Sequence, residues 1–173
     1  MTLADLLVST AVLGITLSAT LVTLEQGQQA WAVGSALVDA QQSGRAALAW
    51  LAAELRTAGQ GMALPGAPRL SVAEPARVVL HVDRNRDGAP EAVTWRLAGD
   101  ILRRDAGGGA QPVVNGVRVL ALSYWDEAGA PTTDPPAVRR VTITLVTRAD
   151  LATSRATRDL AAVFTTEVHL RNR

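Results

Sequence analysis

Between Leu6 and Leu24 the chain carries no charged side chain. An α-helix rises 1.5 Å per residue, so roughly 20 such residues cover the hydrocarbon of a bilayer. This run constrains everything after it, because it demands an apolar surrounding that a chain of 173 residues must find somewhere. Nothing basic precedes the run, so it lacks the charged n-region of a secretory signal. One acid, Asp5, stands at its mouth. A carboxylate there reads in two ways: as a functional group, since an acid is expensive in lipid, or as a residue of the first helical turn that complements the helix dipole.

The rest of the chain is long enough for one further domain. A net charge of +1 generates no strong field to gather nucleic acid or anionic lipid. Every basic residue is Arg, and there is no Cys, which removes disulfides, thiol chemistry and thiolate metal sites. Aromatic residues amount to 3%, with four Trp among them, so a core must rest on Val, Leu, Ala and Trp.

The helix is expected to run past the apolar stretch. Val33, Leu37, Ala40, Gly44, Ala47, Leu51, Leu55 and Ala58 recur at spacings of three and four, one seam on a helix. Leu48 and Trp50 widen the seam, while Gln41, Gln42, Arg45, Glu54 and Arg56 are assigned to the other faces. Gly59-Gln60-Gly61, then Pro65-Gly66 and Pro68, stop it. After Pro75 the pattern becomes strand-like: 77–82, 92–97, 100–104 after a turn at Ala98-Gly99-Asp100, one strand within 113–124, 139–147 and 164–170. Gly107-Gly108-Gly109, 126–136 and 150–159 read as loops. The expected fold is α+β, with the second half of a long N-terminal helix laid on an antiparallel sheet. The expected divisions are 1–25 (membrane or filament-core helix), 26–59 (its amphipathic continuation) and 60–173 (a β-rich head).

The opening residues MTLADLLV resemble the processed N-terminus of type IV pilins and type II secretion pseudopilins, whose usual pattern is FTLIELLV. Thr2, Leu3, Leu6, Leu7 and Val8 match it, Met1 stands for Phe, and Asp5 stands for Glu. Later segments resemble PilW-type minor pilins: Gln42–Leu48 with Leu51, Glu54-Leu55-Arg56 and Ala58-Gly59; Leu97–Asp100 with Leu102-Arg103-Arg104; Asn115-Gly116-Val117 with Leu120 and Tyr124; Arg140-Val141 with Leu145; and Leu170-Arg171-Asn172. The resemblance implies a pilin-like fold. It also implies a mature terminus at Met1, N-methylated after a prepilin peptidase has cut the precursor, and an Asp5 carboxylate that neutralises the terminal amine of a neighbouring subunit. Leu3, Leu6, Leu7, Val8 and Leu13 would form the filament core. Residues near 14–22, weakened by Gly14, Thr16, Ser18 and Thr20, would stretch on filament packing, or else serve close helix packing. The implied partners are other minor pilins and the major pilin, in the bacterial inner membrane with the head in the periplasm and then in the pilus or its tip. The pseudopilin J component of type II secretion is the related alternative, and a membrane-tethered binding domain is the unrelated one.

Two further constellations stand out. Asp83, Asn85 and Asp87 alternate before Gly88, with Glu91 following, which is the front half of a calcium loop. Position twelve is Thr94 instead of Glu, and the same residues also favour a plain hairpin turn. Calcium is therefore the one cofactor the sequence suggests. Arg139, Arg140, Arg148, Arg155, Arg158, Arg171 and Arg173 crowd the C-terminal third, but acids interleave them and no stacking aromatics accompany them. They read as a solvated face, and no nucleic acid is expected. Trp95 and Trp125 read as core or interface anchors. His81 and His169 have no motif spacing to any nucleophile. No catalytic residue is assigned, and the chain is expected to be a non-enzymatic assembly component.

Overall fold

The computed structural model describes residues 2–63, 68–148 and 161–170. The expected stop at Pro65-Gly66, the loop at 150–159, Met1, and Arg155, Arg158, Arg171 and Arg173 lie outside them. The architecture is α+β. Among the described residues one α-helix, α1 (Leu3–Thr57), precedes eight strands: β1 (Leu70–Glu74), β2 (Arg77–Val82), β3 (Glu91–Ala98), β4 (Ile101–Asp105), β5 (Gln111–Val114), β6 (Val117–Trp125), β7 (Arg140–Arg148) and β8 (Ala161–His169), with a 3-10 turn at Pro135–Ala137. Tertiary contacts divide the chain into two units, Met1–Ala36 and Leu37–Arg173. The expected 26–59 segment therefore contributes to both.

The first unit is helical throughout its described residues beyond Thr2. From Leu3 at 81% through Leu6, Leu7, Val8 and Leu13 to Leu24, its large apolar side chains are exposed, and only near its end is Val33 half-buried. It includes an 18-residue window of mean hydropathy 1.9, which makes α1 long and apolar enough to cross a membrane. Its hydroxyls fold back onto the helix. Ser9 donates to the Asp5 carbonyl, Thr16 to Val12 and Leu13, Ser18 to Gly14, Thr20 to Thr16 and Thr23 to Ala19. A hydroxyl satisfied by its own helix can enter lipid without an orphaned donor. Residues 14–22 are unbroken helix in this isolated chain.

In the second unit α1 ends where the glycines predict. Gly59 and Gly61 have φ of 84° and 81°, the left-handed region that ends helices and costs a Cβ-bearing residue dearly. The seam predicted from spacing faces the sheets: Gly44, Ala47, Leu51, Leu55 and Ala58 are all buried. Ala52 joins them, and Leu48 packs against the same core. Trp50 departs from the seam and stays half-exposed.

The strands make two antiparallel sheets, β1-β2-β3-β4-β5 and β6-β7-β8. Two details differ from the sequence reading. Leu70–Glu74 adds an edge strand ahead of Pro75, paired with β2. The single strand expected within 113–124 is two, because Asn115-Gly116 ends β5 and starts β6 in the other sheet. Gly116 has φ 71°, and a Cβ there would lie 3.0 Å from the Arg148 carbonyl oxygen, so only glycine lets the chain change sheets at this point. The Ala98–Ile101 hairpin has Gly99 first in its two-residue loop, at φ 66°.

The alternation read in β7 holds: Val141, Ile143, Leu145 and Thr147 are buried, and their neighbours less so. Register brings Leu122 opposite Ile143, and Ile143 opposite Thr166. Val78, Leu80, Val93, Trp95 and Leu102 of the first sheet share one core with Leu120, Leu122, Ile143 and Leu145 of the second and with Ala47, Leu51 and Leu55 of the helix. Burying one such side chain is worth about 1.5–3 kcal/mol.

Candidate functional site

The start of α1 is built by a reciprocal pair. The Thr2 backbone N–H donates to Asp5 Oδ2 at 2.9 Å, and the Asp5 backbone N–H donates to Thr2 Oγ1 at 3.3 Å. This is a capping box, with Asp in the place more often taken by Glu or Gln. It satisfies two of the backbone donors that a helix N-terminus leaves unpaired. Asp5 thus has a local role in the isolated chain. A carboxylate presents lone pairs on two oxygens, so that role does not exhaust its capacity to meet an amine. Leu3 within this cap and Leu6, Leu7, Val8 and Leu13 beyond it each leave more than half of their apolar surface exposed.

The acidic segment is the connection between β2 and β3. Carboxylate oxygens of Asp83, Asp87 and Glu91 lie within 4.8 Å of one another. The loop is also closed on itself. Asp83 Oδ1 accepts from the N–H groups of Arg86 (2.6 Å) and Asp87 (3.2 Å), and Oδ2 accepts from Gly88 (3.0 Å). Asn85 Oδ1 takes the Asp87 N–H, its amide donates to Asp87 Oδ2, and Asp87 Oδ1 takes the Ala89 N–H. Glu91 Oε2 caps the Arg84 N–H at 2.8 Å. The Ala89 amide and the Asn85 side chain hold the Asp87 carboxyl below its ordinary range. Arg86 has φ 64°, the one non-glycine residue in the left-handed region among those described.

Asp83, Asp87 and Glu91 could hold a cation, while the Asn85 oxygen is turned inward to the Asp87 amide. Thr94 lies within β3, paired with Val79 and Asp105, so no twelve-residue loop between helices exists here. The loop also fastens the end of α1. The Asp83 N–H donates to the Gln60 carbonyl, and the Gly59 N–H donates to the carbonyl of His81.

A polar node inside the head escaped the sequence reading. Glu54, assigned to an outer face, turns toward the sheet. Its Oε1 accepts from Arg104 Nε (2.9 Å) and Nη2 (2.5 Å), and its Oε2 accepts from Trp95 Nε1 (2.6 Å). Arg104 and Trp95 are cross-strand partners on β4 and β3. Trp50 closes the node, edge-on to Trp95 with centroids 5.5 Å apart and with the Arg104 guanidinium 5.0 Å from its ring centre. The spacing of Glu54 one turn after Trp50 was the available signal. The charge is balanced and every carboxylate oxygen is used, which describes a clasp between helix and sheet and leaves no poised acid or base.

Among the described residues the C-terminal arginines are paired with acids. Arg139 faces Glu127 (4.0 Å), Arg140 faces Glu167 (3.6 Å) and Arg148 faces Asp100 (3.4 Å). Trp95 is core, as expected. Trp125 is half-buried, donates to Thr142 Oγ1, and carries Arg140 over its ring. His169 meets Glu167 at 3.1 Å, and the Nε2 of His81 is buried without a hydrogen-bond partner among the described residues. A search of protein-family models and of curated proteins finds no match to this chain.

Proposed function

We propose that this chain is a minor pilin of PilW type, a structural subunit that primes or caps a type IV pilus filament. It would reside first in the inner membrane with its head in the periplasm, and then pass into a filament or tip complex with other minor pilins and the major pilin. One observation carries the reading: a capped helix whose first turn holds Asp5 and whose next five turns expose apolar side chains with no partner in their own unit. Exposed apolar surface on this scale requires lipid or similar helices around it. Moving from lipid to a bundle of like helices changes the hydrophobic term little. A specific acid–amine contact between subunits, formed away from water, then supplies direction and register. The opening residues Thr2-Leu3 and Asp5-Leu6-Leu7-Val8 add the family resemblance to this physical case.

The cap makes the test sharper than a single alanine change. Asp5→Glu keeps both charge and cap. Asp5→Asn keeps a capping oxygen and loses the charge. Asp5→Ala loses both. All three should remain in the membrane fraction. Incorporation into sheared filaments should survive in Glu and collapse together in Asn and Ala. If Asn assembles like the parent while Ala fails, Asp5 serves only the helix end and the proposed contact is wrong.

A further inference from the structure

The uncharged run ends at Glu25, but the apolar surface of α1 does not. Leu13, Leu17, Thr20, Leu24, Gly27 and Trp31 follow one another at spacings of four and three, one stripe down the helix. Trp31 is 77% exposed, the most open large apolar side chain after Leu3 among the described residues. It lines a shallow concavity with Thr20, Thr23, Leu24, Gly27 and Gln28. Gly27 lies one turn before Trp31, and a Cβ added there would meet nothing within 4 Å, so the indole stands clear of the helix with its faces open. The polar pair of this region, Gln29 donating to Glu25 at 3.4 Å, lies on the other side, roughly 120° or more around the axis at 100° per residue. After Glu25 the next charge is Asp39.

We infer that Trp31 docks in the headgroup layer of a phospholipid bilayer and sets the depth at which the helix leaves the membrane. Length supports this occupant over a protein one. From Leu6 to Trp31 the helix rises about 38 Å, beyond the ~30 Å hydrocarbon and within the ~40–45 Å that includes the headgroups. An indole has an apolar body and one N–H donor, the combination enriched at that level. The stripe that carries it is continuous with the apolar span, while Glu25 and Gln29 take the side where water and headgroups can reach them. The inference rests on the membrane residence proposed above.

The test uses the full chain in phosphatidylcholine–phosphatidylglycerol vesicles and reads the part of the tryptophan emission that W31F removes. Lipids carrying a nitroxide high on the acyl chain should quench that part at least about twofold more than lipids carrying it near the chain end. Aqueous iodide should quench it little. Emission open to iodide and untouched by either lipid would overturn the inference, because the ring would then stand in water. Shielding from all three quenchers would overturn it as well, placing the ring against a second copy of the chain. Failure of the chain to float with the vesicles would instead reject membrane residence, and the inference with it.

Discussion

Two stretches of one helix solve the same problem in opposite ways. Leu13 leaves 60% of its surface open, and Leu55 leaves none. Both lie on regular helix and both belong to apolar stripes. The difference lies in what the chain offers each of them. The second half meets two sheets that bury Ala47, Leu51 and Leu55, whereas the first unit contains nothing but itself. A helix that is apolar all round and uncovered within its own unit is a statement about its surroundings: it calls for an apolar environment. The head's stability and the anchor's chemistry should therefore be separable by mutation.

The widest separation is expected for matched leucine truncations. Leu55→Ala deletes a fully buried side chain between helix and sheets and should cost the head about 2–5 kcal/mol, read as a lowered denaturant midpoint. Leu13→Ala should leave that midpoint in place and act only on membrane retention or assembly. Equal losses from both would mean that the two units do not unfold separately, and the comparison would fall.

Next comes the clasp. Glu54→Ala leaves the Arg104 guanidinium and the Trp95 N–H without their acceptor at positions only 14% (Arg104) to 18% (Glu54) exposed, and should destabilise the head by about 2–3 kcal/mol. Glu54→Leu, which adds apolar volume while still stranding the arginine, should not rescue it. Glu54→Leu together with Arg104→Met should recover much of the loss, because a buried ion pair replaced whole is often neutral. No recovery in the double variant would show that the Trp95 bond carries the effect.

How much of this could be read beforehand follows from where each signal lives. Periodicity is local, so the helix, its stop at Gly59-Gln60-Gly61 and the alternation of β7 were all legible. The seam was legible too, since its residues differ from their neighbours in polarity alone, although only its part from Gly44 to Ala58 is buried and Val33, Leu37 and Ala40 are half-buried. Glu54 was misread for the same reason. A charged residue at helical spacing looks solvated until the strand pair that delivers Trp95 and Arg104 beneath it is known. The division into two sheets at Asn115-Gly116 was half visible: Asn-Gly is a turn-forming pair, but the reason for glycine there, the Arg148 carbonyl 3.0 Å from any Cβ at Gly116, comes from a residue far along the chain. Leu70–Glu74 was missed because a five-residue edge strand has too few positions to show a period. At the candidate site, Asp5 was singled out with its two readings open, and the Thr2 hydroxyl that makes it a capping residue was within three residues all along.

Glycines offer a finer version of the same comparison. Gly34→Ala meets nothing within 4 Å, gains helix propensity, and should leave the head's midpoint unchanged. At Gly44 an added Cβ would stand 2.8 Å from Phe164 Cε2 and 3.0 Å from Thr147 Cγ2. The helix there approaches the second sheet so closely that the ring must move. Gly44→Ala should therefore destabilise by about 1–2 kcal/mol despite the gain in propensity. A stabilised Gly44→Ala head would mean that the ring yields freely and the helix–sheet contact is loose.

The smallest expected effect concerns protons. Burial pushes the His81 ring below its ordinary value, and its Nε2 has no acceptor for a second proton among the described residues. The unfolded chain, with a histidine near pH 6.5, then binds more protons than the folded head. Stability is fully present above about pH 6.5 and is lost as the pH falls below it toward the lower folded value. One proton limits the slope to about 1.4 kcal/mol per pH unit, and partial exposure of the ring keeps the actual slope below that ceiling. Comparing wild type with His81→Leu between pH 7.5 and 5.5 isolates this ring, because the two chains differ at no other position. The wild-type midpoint should fall relative to the variant across that window. Parallel midpoints would mean that the ring finds a proton acceptor or water on acidification, and that the seam where β2 meets the end of α1 is less tightly closed than its Gly59 N–H bond to the His81 carbonyl implies.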